Sequence, residues 1–239
     1  DEDATIIVMP GVYEESVSTW YDKNGSTFGK RIHLIGLYKN TTIIKNQSRN
    51  YSTPPIEFSN GSIKNLTIYA EGNEEQTEST SCYSMHMETH SLYGKDAIFD
   101  NVTFKSNVNY PIGIGLRGGG SRLEFKNCDF IGNGSEAGCI WFHDADASSY
   151  RGECDLIFDS CNMICNGNNY PIRINAMHDD NITNITFKRN TVWAKTNETS
   201  NIYNTWNTGG VNGDGWRGLL KMYLTYDSVG NSESGMNYR

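Results

Sequence analysis

The sequence predicts an all-β protein built as a parallel β-helix. Two observations lead to this prediction: the composition favours strands and turns, and the chain contains an internal repeat. The 239 residues include 24 Gly and 14 Tyr but only 5 Pro, and Asn is frequent. This composition is typical of strands joined by tight turns. No segment has the period of a long amphipathic helix, and no apolar run approaches the roughly 18 residues of a membrane span.

The formal charge of −8 at pH 7 narrows the range of partners. Nucleic-acid binding needs a concentrated basic face to contact phosphates, and the sequence has no such cluster. The six cysteines include no CxxC pair, so a zinc knuckle is not expected. We therefore expect no nucleic-acid partner, no metal and no cofactor.

Five segments of six residues repeat along the chain and align in columns. They are IKNLTI (63–68), FDNVTF (99–104), FKNCDF (125–130), FDSCNM (158–163) and FKRNTV (187–192). A unit of this size cannot bury its own apolar face, so neighbouring units must stack and share one core. Strand-like repeats with this spacing indicate a parallel β-helix in which each unit forms one coil.

The columns of the repeat predict where each side chain lies. The first column is expected to form an internal file of Ile63, Phe99, Phe125, Phe158 and Phe187. The sixth column is also apolar, and the fourth places Cys128 and Cys161 in the core as reduced thiols. The third column predicts a ladder of polar side chains at a turn, formed by Asn65, Asn101, Asn127 and Ser160. Arg189 occupies the same column and is expected to break this ladder.

The repeat ends near residue 200. We expect residues 1–200 to form the parallel β-helix and residues 201–239 to form a C-terminal cap or last coil of the same domain. The Gly- and Asn-rich segment 204–218 interrupts the pattern before a final strand-like segment, LLKMYLTY. The open end of a solenoid exposes apolar side chains and unpaired strand groups, so a covering segment is expected there.

Several segments resemble a known superfamily. ATIIVMPGVYEESV, KRIHLIGLYKNTTIIKN and SIKNLTI resemble the opening coils of pectate-lyase-like right-handed parallel β-helix proteins. That superfamily includes polysaccharide lyases, glycoside hydrolases, pectin esterases and phage tailspikes. The later segments YSMHMETH, IGIGLRGGG and FKNCDFIGN are similar to β-helix modules of phage tails and tail appendages.

The resemblance implies a setting and a class of ligand. It implies a right-handed helix located outside the cell or on a virion surface, where it would serve host attachment. The implied partner is a cell-surface polysaccharide or a teichoic acid-like glycan, and the assembly a homotrimer. Architecture alone does not fix activity, so the function must be argued from a site.

A second strand precedes the Phe file in four coils. These strands are SMHME from Ser84, IGIGLR from Ile112, CIWFHD from Cys139 and IRINAMHD from Ile172. Side chains alternate between the two faces of a strand. Methionines and isoleucines are expected to face the core, which leaves polar residues, glycines and a tryptophan outside.

The strand CIWFHD allows two registers. Either Cys139, Trp141 and His143 or Ile140 and Phe142 could face the core. We favour the second register because burying an imidazole without a partner is costly. Cys139, Trp141 and His143 are then expected to point outward.

The outward residues of these strands form the candidate saccharide site. The expected substrate-binding residues are His86, His90, Arg117, Trp141, His143, Arg173 and Asp179. The catalytic candidates are Glu88, Asp144 and Asp146. An exposed indole can stack on a sugar, charged groups bond to hydroxyls, and outward glycines would leave the backbone bare for a chain to lie close. HMETH is not expected to bind one metal ion, because outward side chains two residues apart on a strand are separated by about 6.6 Å.

Two classes of function remain open from the sequence. A glycoside hydrolase needs two carboxylates, about 5 to 5.5 Å apart for retention or about 6.5 to 9.5 Å for inversion. A polysaccharide lyase needs a cationic group and a base, and Arg117 or Arg173 could supply the cation. The alternative is a structural spine or adhesin module that binds without cleaving.

Overall fold

The structure is a computed structural model that describes most of the repeat region and four short segments beyond it. The described residues are 3–19, 31–45, 54–72, 83–88, 96–108, 110–115, 122–134, 137–143, 152–167, 171–175, 181–194, 203–206, 219–225, 228–231 and 235–238. Every regular element within these ranges is a β-strand. No helix in them is long and apolar enough to cross a membrane.

The strands, numbered along the chain, form three sheets. Sheet A contains β1 (Ala4–Val8), β4 (Ile32–Gly36), β7 (Gly61–Lys64), β10 (Asp96–Asp100), β13 (Arg122–Lys126), β16 (Gly152–Asp159), β19 (Asn181–Lys188) and β22 (Leu219–Thr225). Sheet B contains β2 (Gly11–Glu14), β5 (Thr42–Lys45), β8 (Thr67–Ala70), β11 (Thr103–Ser106), β14 (Asp129–Gly132), β17 (Asn162–Cys165), β20 (Thr191–Ala194), β23 (Ser228–Asn231) and β24 (Gly235–Tyr238). Sheet C contains β3 (Val17–Ser18), β6 (Ile56–Glu57), β9 (Met85–Glu88), β12 (Ile112–Gly115), β15 (Ile140–His143), β18 (Ile172–Asn175) and β21 (Tyr203–Trp206).

Each coil contributes one strand to each sheet, in the order A, B, C. Neighbouring strands within a sheet belong to successive coils and run parallel. This arrangement confirms the predicted parallel β-helix. The backbone of β21, β22 and β23 adds one further strand to each sheet, and β24 pairs antiparallel with β23. The capping role of residues 201–239 stays a prediction.

The first column of the repeat forms the predicted internal file. Parallel pairing aligns Leu34, Ile63, Phe99, Phe125, Phe158 and Phe187 on successive strands of sheet A. The rings stack face to face, with centroids 4.5 Å apart for Phe99 and Phe125 and 4.7 Å apart for Phe125 and Phe158. All five residues from Ile63 to Phe187 are fully buried. The file therefore runs through the core along the helix axis.

The sixth column lies in sheet B and packs against the first. Ile68, Phe104, Phe130, Met163 and Val192 are aligned and fully buried. Phe104 meets Phe125 edge to face at 6.1 Å between centroids, and Phe130 meets Phe158 in the same way at 5.8 Å. Face-to-face contacts along the axis and edge contacts across it pack these two apolar columns closely against each other.

The third column forms the corner between sheets A and B. Its members have left-handed backbone conformations, with φ of 54° at Asn65, 55° at Asn101, 53° at Asn127, 58° at Ser160 and 57° at Arg189. Asn is the non-glycine residue that tolerates this conformation best, which explains its recurrence. The corner thus requires a residue at positive φ, and the recurring asparagines of the third column indicate this requirement in the sequence.

The predicted amide ladder is only partly correct. Asn101 donates its side-chain N–H to Oδ1 of Asn65 at 3.0 Å, as expected. Asn127 instead donates to the carboxylate of Asp100 at 3.2 Å. Arg189 breaks the amide ladder as predicted, but it keeps the left-handed corner and donates from Nε to Asp159 at 2.9 Å.

The described cysteines are free and buried, as the sequence predicted for Cys128 and Cys161. Burial, reinforced by the neighbouring thiol, raises the pKa of Cys128 and of Cys139 well above the usual range, so both thiols are protonated. The outward placement of Cys139 was wrong. Cys139 and Ile140 both donate their backbone N–H to the carbonyl of Pro171, at 2.7 and 2.9 Å. The chain therefore still turns at residue 139, and strand alternation begins only at Ile140.

Replacing Phe158 with Ala should lower the free energy of unfolding by about 3 to 5 kcal/mol, because a stacked, fully buried ring is removed. Ile157→Ala is the matched control, since Ile157 is partly exposed on the outer face of the same strand. Chemical denaturation followed by circular dichroism gives both values. Equal losses in the two variants would contradict the internal file.

Replacing Asn127 with Ala should destabilise the protein by about 1 kcal/mol more than replacing it with Gly. Both variants lose the same side-chain hydrogen bond, but only Ala is strained at positive φ. Thermal midpoints of the two variants test this expectation. An Ala variant as stable as the Gly variant would show that the left-handed corner does not constrain this position.

Candidate functional site

The outer face of sheet C brings several predicted site residues into one column. The register pairs Glu57 with His86, His86 with Gly113, Gly113 with Trp141, and Trp141 with Arg173. Successive strands lie about 4.8 Å apart in the stacking direction. We call these five residues the sheet C column. A polymer lying along the helix axis would meet their side-chain positions one after another.

The inner face of the same sheet confirms the chosen register. Met85, Met87, Ile112, Ile114, Ile140 and Phe142 are all fully buried. His86 and Trp141 consequently point outward, and both are partly exposed. The register that would have buried Trp141 and His143 is excluded.

Gly113 is not bare, which corrects the sequence interpretation. A Cβ atom added to Gly113 would lie 2.8 Å from Cζ of Tyr83, so the ring of Tyr83 covers this glycine. Only 4% of Tyr83 is exposed. Gly113 therefore makes room for an aromatic ring of the protein rather than for a ligand.

Tyr83 and Tyr110 organise the exposed aromatic groups. Tyr83 stacks on His86 with centroids 5.7 Å apart and an interplanar angle of 19°, and it meets Trp141 at 5.9 Å and 63°. Tyr110, which is 1% exposed, meets Trp141 at 6.0 Å and 45°. Two buried tyrosines thus fix the orientation of two partly exposed rings. Trp141 consequently packs against these tyrosines and is only partly exposed. It is not the fully exposed stacking surface that the sequence suggested.

Sequence reasoning missed both tyrosines and Glu57. Tyr83 and Tyr110 each stand two residues before the first buried residue of a sheet C strand, Met85 or Ile112. This recurrence was a detectable signal. Glu57 lies in a strand of two residues, too short to show alternation.

A second row of the same face is defined by the backbone alone. Gly115 pairs with Glu88 on one side and with His143 on the other. The two predicted residues are therefore two rungs apart in one row. Five other predicted residues lie outside the described part of the chain: His90, Arg117, Asp144, Asp146 and Asp179. Their roles stay predictions, and so do the roles of the predicted site residues that the structure describes.

The described residues contain no group of three or more His, Cys, Asp or Glu side chains arranged to hold a metal ion. They do contain a serine hydrogen-bonded to a histidine on sheet A, and an aspartate lies near that histidine just before β1. Nδ1 of His33 lies 2.8 Å from Oγ of Ser62, and Nε2 lies 3.7 Å from Oδ2 of Asp3.

This Ser–His–Asp cluster lacks the access that a hydrolytic nucleophile needs. Ser62 is 5% exposed and lies within β7, which pairs with a parallel strand on each side. Backbone N–H groups within such a ladder are not available as an oxyanion hole. The cluster joins the first three coils, and we interpret it as a structural contact.

Comparison with known proteins gives only distant similarities. No family model matches the sequence, and no curated protein matches it significantly. Among solved structures, the chain is similar to the pectin methylesterase from Yersinia enterocolitica, with 12% identity, a TM-score of 0.43, and coverage of 94% of this chain and 86% of that one. It is also similar to a pectin methylesterase mutant in complex with a hexasaccharide, with 14% identity, a TM-score of 0.41, and coverage of 92% and 80%. These similarities are too weak to carry a function to this chain.

Replacing Gly113 with Ala should lower stability by about 1 to 3 kcal/mol, because the new methyl group overlaps the ring of Tyr83. In a Tyr83→Ala background the same substitution should cost less. A double-mutant cycle on unfolding free energies measures this coupling. Strictly additive losses would show that Tyr83 does not cover Gly113.

Proposed function

We propose that this protein binds a polysaccharide along the outer face of sheet C. The observation that carries the proposal is the aromatic cluster of Tyr83, His86, Tyr110 and Trp141. Two of its rings are partly exposed, and two buried tyrosines orient them. A site that is ordered before binding loses less side-chain entropy when the ligand arrives.

The chemistry of the sheet C column suits a sugar chain. Trp141 is partly exposed, and an indole can pack against sugar C–H groups, while histidine is a residue type that can hydrogen-bond to a hydroxyl. Glu57 and Arg173 occupy the two ends of the column and belong to residue types that bond to hydroxyl groups. Because the column follows the helix axis, it favours a linear polymer over a compact ligand.

Binding is the activity that these residues support. Cleavage by a glycoside hydrolase requires two carboxylates at a defined separation. In the sheet C column, Glu57 is the one carboxylate. We therefore propose recognition as the function and treat cleavage as an outcome to be measured. The resemblance of YSMHMETH and its neighbours to phage tail modules supports a role in attachment to a host surface, outside the cell or on a virion.

Replacing Trp141 with Ala should weaken polysaccharide binding by about 1 to 3 kcal/mol, the scale of one aromatic contact or one hydrogen bond to a charged group. Trp141→Phe should keep part of the affinity because it retains a ring. Affinity electrophoresis through gels containing xylan, mannan, polygalacturonate or wall teichoic acid provides the measurement.

The control is Ile157→Ala, which removes a partly exposed side chain from sheet A and should bind like the wild type. All variants must be compared below their melting midpoints, because Trp141 also packs against Tyr83 and Tyr110. Unchanged binding by Trp141→Ala would remove sheet C from consideration. Release of reducing ends from a retained polymer would add cleavage to the function.

A further inference from the structure

The outer face of sheet B carries a second continuous row that no sequence argument identified. The register aligns Tyr69, Lys105, Ile131, Ile164 and Trp193 on five successive strands. All five side chains point outward and are partly exposed. We call this row the sheet B strip. Its last three members form an apolar surface that ends in an indole.

One border of the strip is a ladder of exposed amides. Asn133 donates to Oδ1 of Asn107 at 3.3 Å, and Asn166 donates to Oδ1 of Asn133 at 2.8 Å. The backbone N–H of each is bonded to the preceding coil, which fixes its position. A side-chain amide has two N–H donors and two acceptor lone pairs, so each asparagine keeps capacity for a ligand hydroxyl.

The other border is a polar network that is already neutralised. Asp129 pairs with Lys39 at 2.5 Å and accepts hydrogen bonds from Thr103 at 3.1 Å and Asn162 at 2.8 Å. Burial alone would raise the pKa of Asp129, but the bonds from Lys39, Asn162 and Thr103 outweigh it and lower that pKa. The carboxylate is therefore held ionised and paired, so this border presents no unbalanced negative charge.

Rings stand at both ends of the strip. Tyr69 is fixed by a hydrogen bond from Asn107 at 2.5 Å and by the ammonium of Lys105, 4.6 Å from its ring centroid. Trp193 lies four strands further along, roughly 19 Å away at about 4.8 Å per strand. A pyranose ring is about as long as one such step. The amide ladder and the apolar row thus repeat at an interval close to that of a sugar chain.

The charges on the strip indicate which sugar chain would fit. Lys105 is the cation within the strip, and nearby Lys45 is paired with Glu71 at 2.7 Å and Glu14 at 3.0 Å. A polyuronate or polyphosphate would require several free cations and would be repelled by a formal charge of −8. An uncharged glycan needs no free cations and is not repelled by the net negative charge. Its C–H faces match the apolar row, and its hydroxyls match the amides.

We propose that the sheet B strip binds a linear, uncharged polysaccharide, with sugar rings over Ile131, Ile164 and Trp193 and hydroxyls directed to the asparagine ladder. This inference rests on the proposed function and adds a second face and a ligand class to it. A second copy of the chain fits less well. The strip is one side chain wide, whereas a stable protein interface buries roughly 800 Å² on each partner.

The test compares the full chain with three variants by affinity electrophoresis and isothermal titration. The probes are soluble xylan and mannan as neutral polymers and polygalacturonate as an anionic one. Trp193→Ala should weaken binding to a neutral polymer roughly tenfold, as expected for loss of one stacking surface. Asn133→Ala, an exposed change that should not disturb folding, should weaken binding by roughly two- to tenfold. Ile157→Ala on sheet A should bind like the wild type.

The outcomes separate this inference from the function on which it rests. If the wild type binds but Trp193→Ala and Asn133→Ala bind equally well, the strip is not a binding face, although the proposed function stands. Retention of polygalacturonate alone overturns the assignment of a neutral ligand. Retention of no polysaccharide overturns both proposals. A concentration-dependent dimer in sedimentation velocity that Trp193→Ala abolishes would identify the strip as an interface between copies.

Discussion

The structure depends on the stacking of equivalent residues in parallel register along the helix axis. Phe99, Phe125, Phe158 and Phe187 lie above one another in the core, and each ring covers the next. No coil could bury these rings alone, so the coils are stable only as a stack. The same register that aligns the core also aligns every outward side chain. The alignment of side chains in columns on the surface is therefore a consequence of core packing, because a shift of one residue would exchange the two faces.

Corner residues turn the chain from one sheet to the next, so that each coil can stack on the one before it. Five successive coils turn from sheet A to sheet B through one residue at positive φ, which is an asparagine in three of them. Where the corner residue is Arg189, its side chain pairs with Asp159 and the backbone conformation is unchanged. Backbone geometry is thus conserved from coil to coil, whereas the hydrogen bonds of the side chains vary. Tolerance of this kind allows the outer faces to differ between coils without disturbing the core.

Much of the fold could be predicted from periodicity, but less of the site could be. The repeat identified the core columns and the corner, and alternation identified the outward direction of His86 and Trp141. Alternation fails outside strands, which is why Cys139 was misplaced and why the cover that Tyr83 forms over Gly113 was missed. The amide ladder from Asn107 to Asn166 lies beyond the six-residue repeat, and Glu57 lies in a strand too short to show a pattern. The ladder nevertheless keeps a constant spacing, because Asn107, Asn133 and Asn166 each stand eight residues after a phenylalanine of the internal file, so a longer repeat window would have revealed it.

The outward columns of the helix are proposed to bind a glycan. Hydroxyl-radical footprinting of the full chain, with and without the polysaccharide it retains, tests this binding because it reports on individual side chains. We expect slower oxidation of His86 and Trp141 on sheet C and of Trp193 on sheet B when the polymer is present. Tyr38, which is 66% exposed in the turn before β5, should be oxidised at an unchanged rate. Protection confined to Tyr38 or to residues of sheet A, with the rings on sheets B and C unaffected, would contradict glycan binding by these columns.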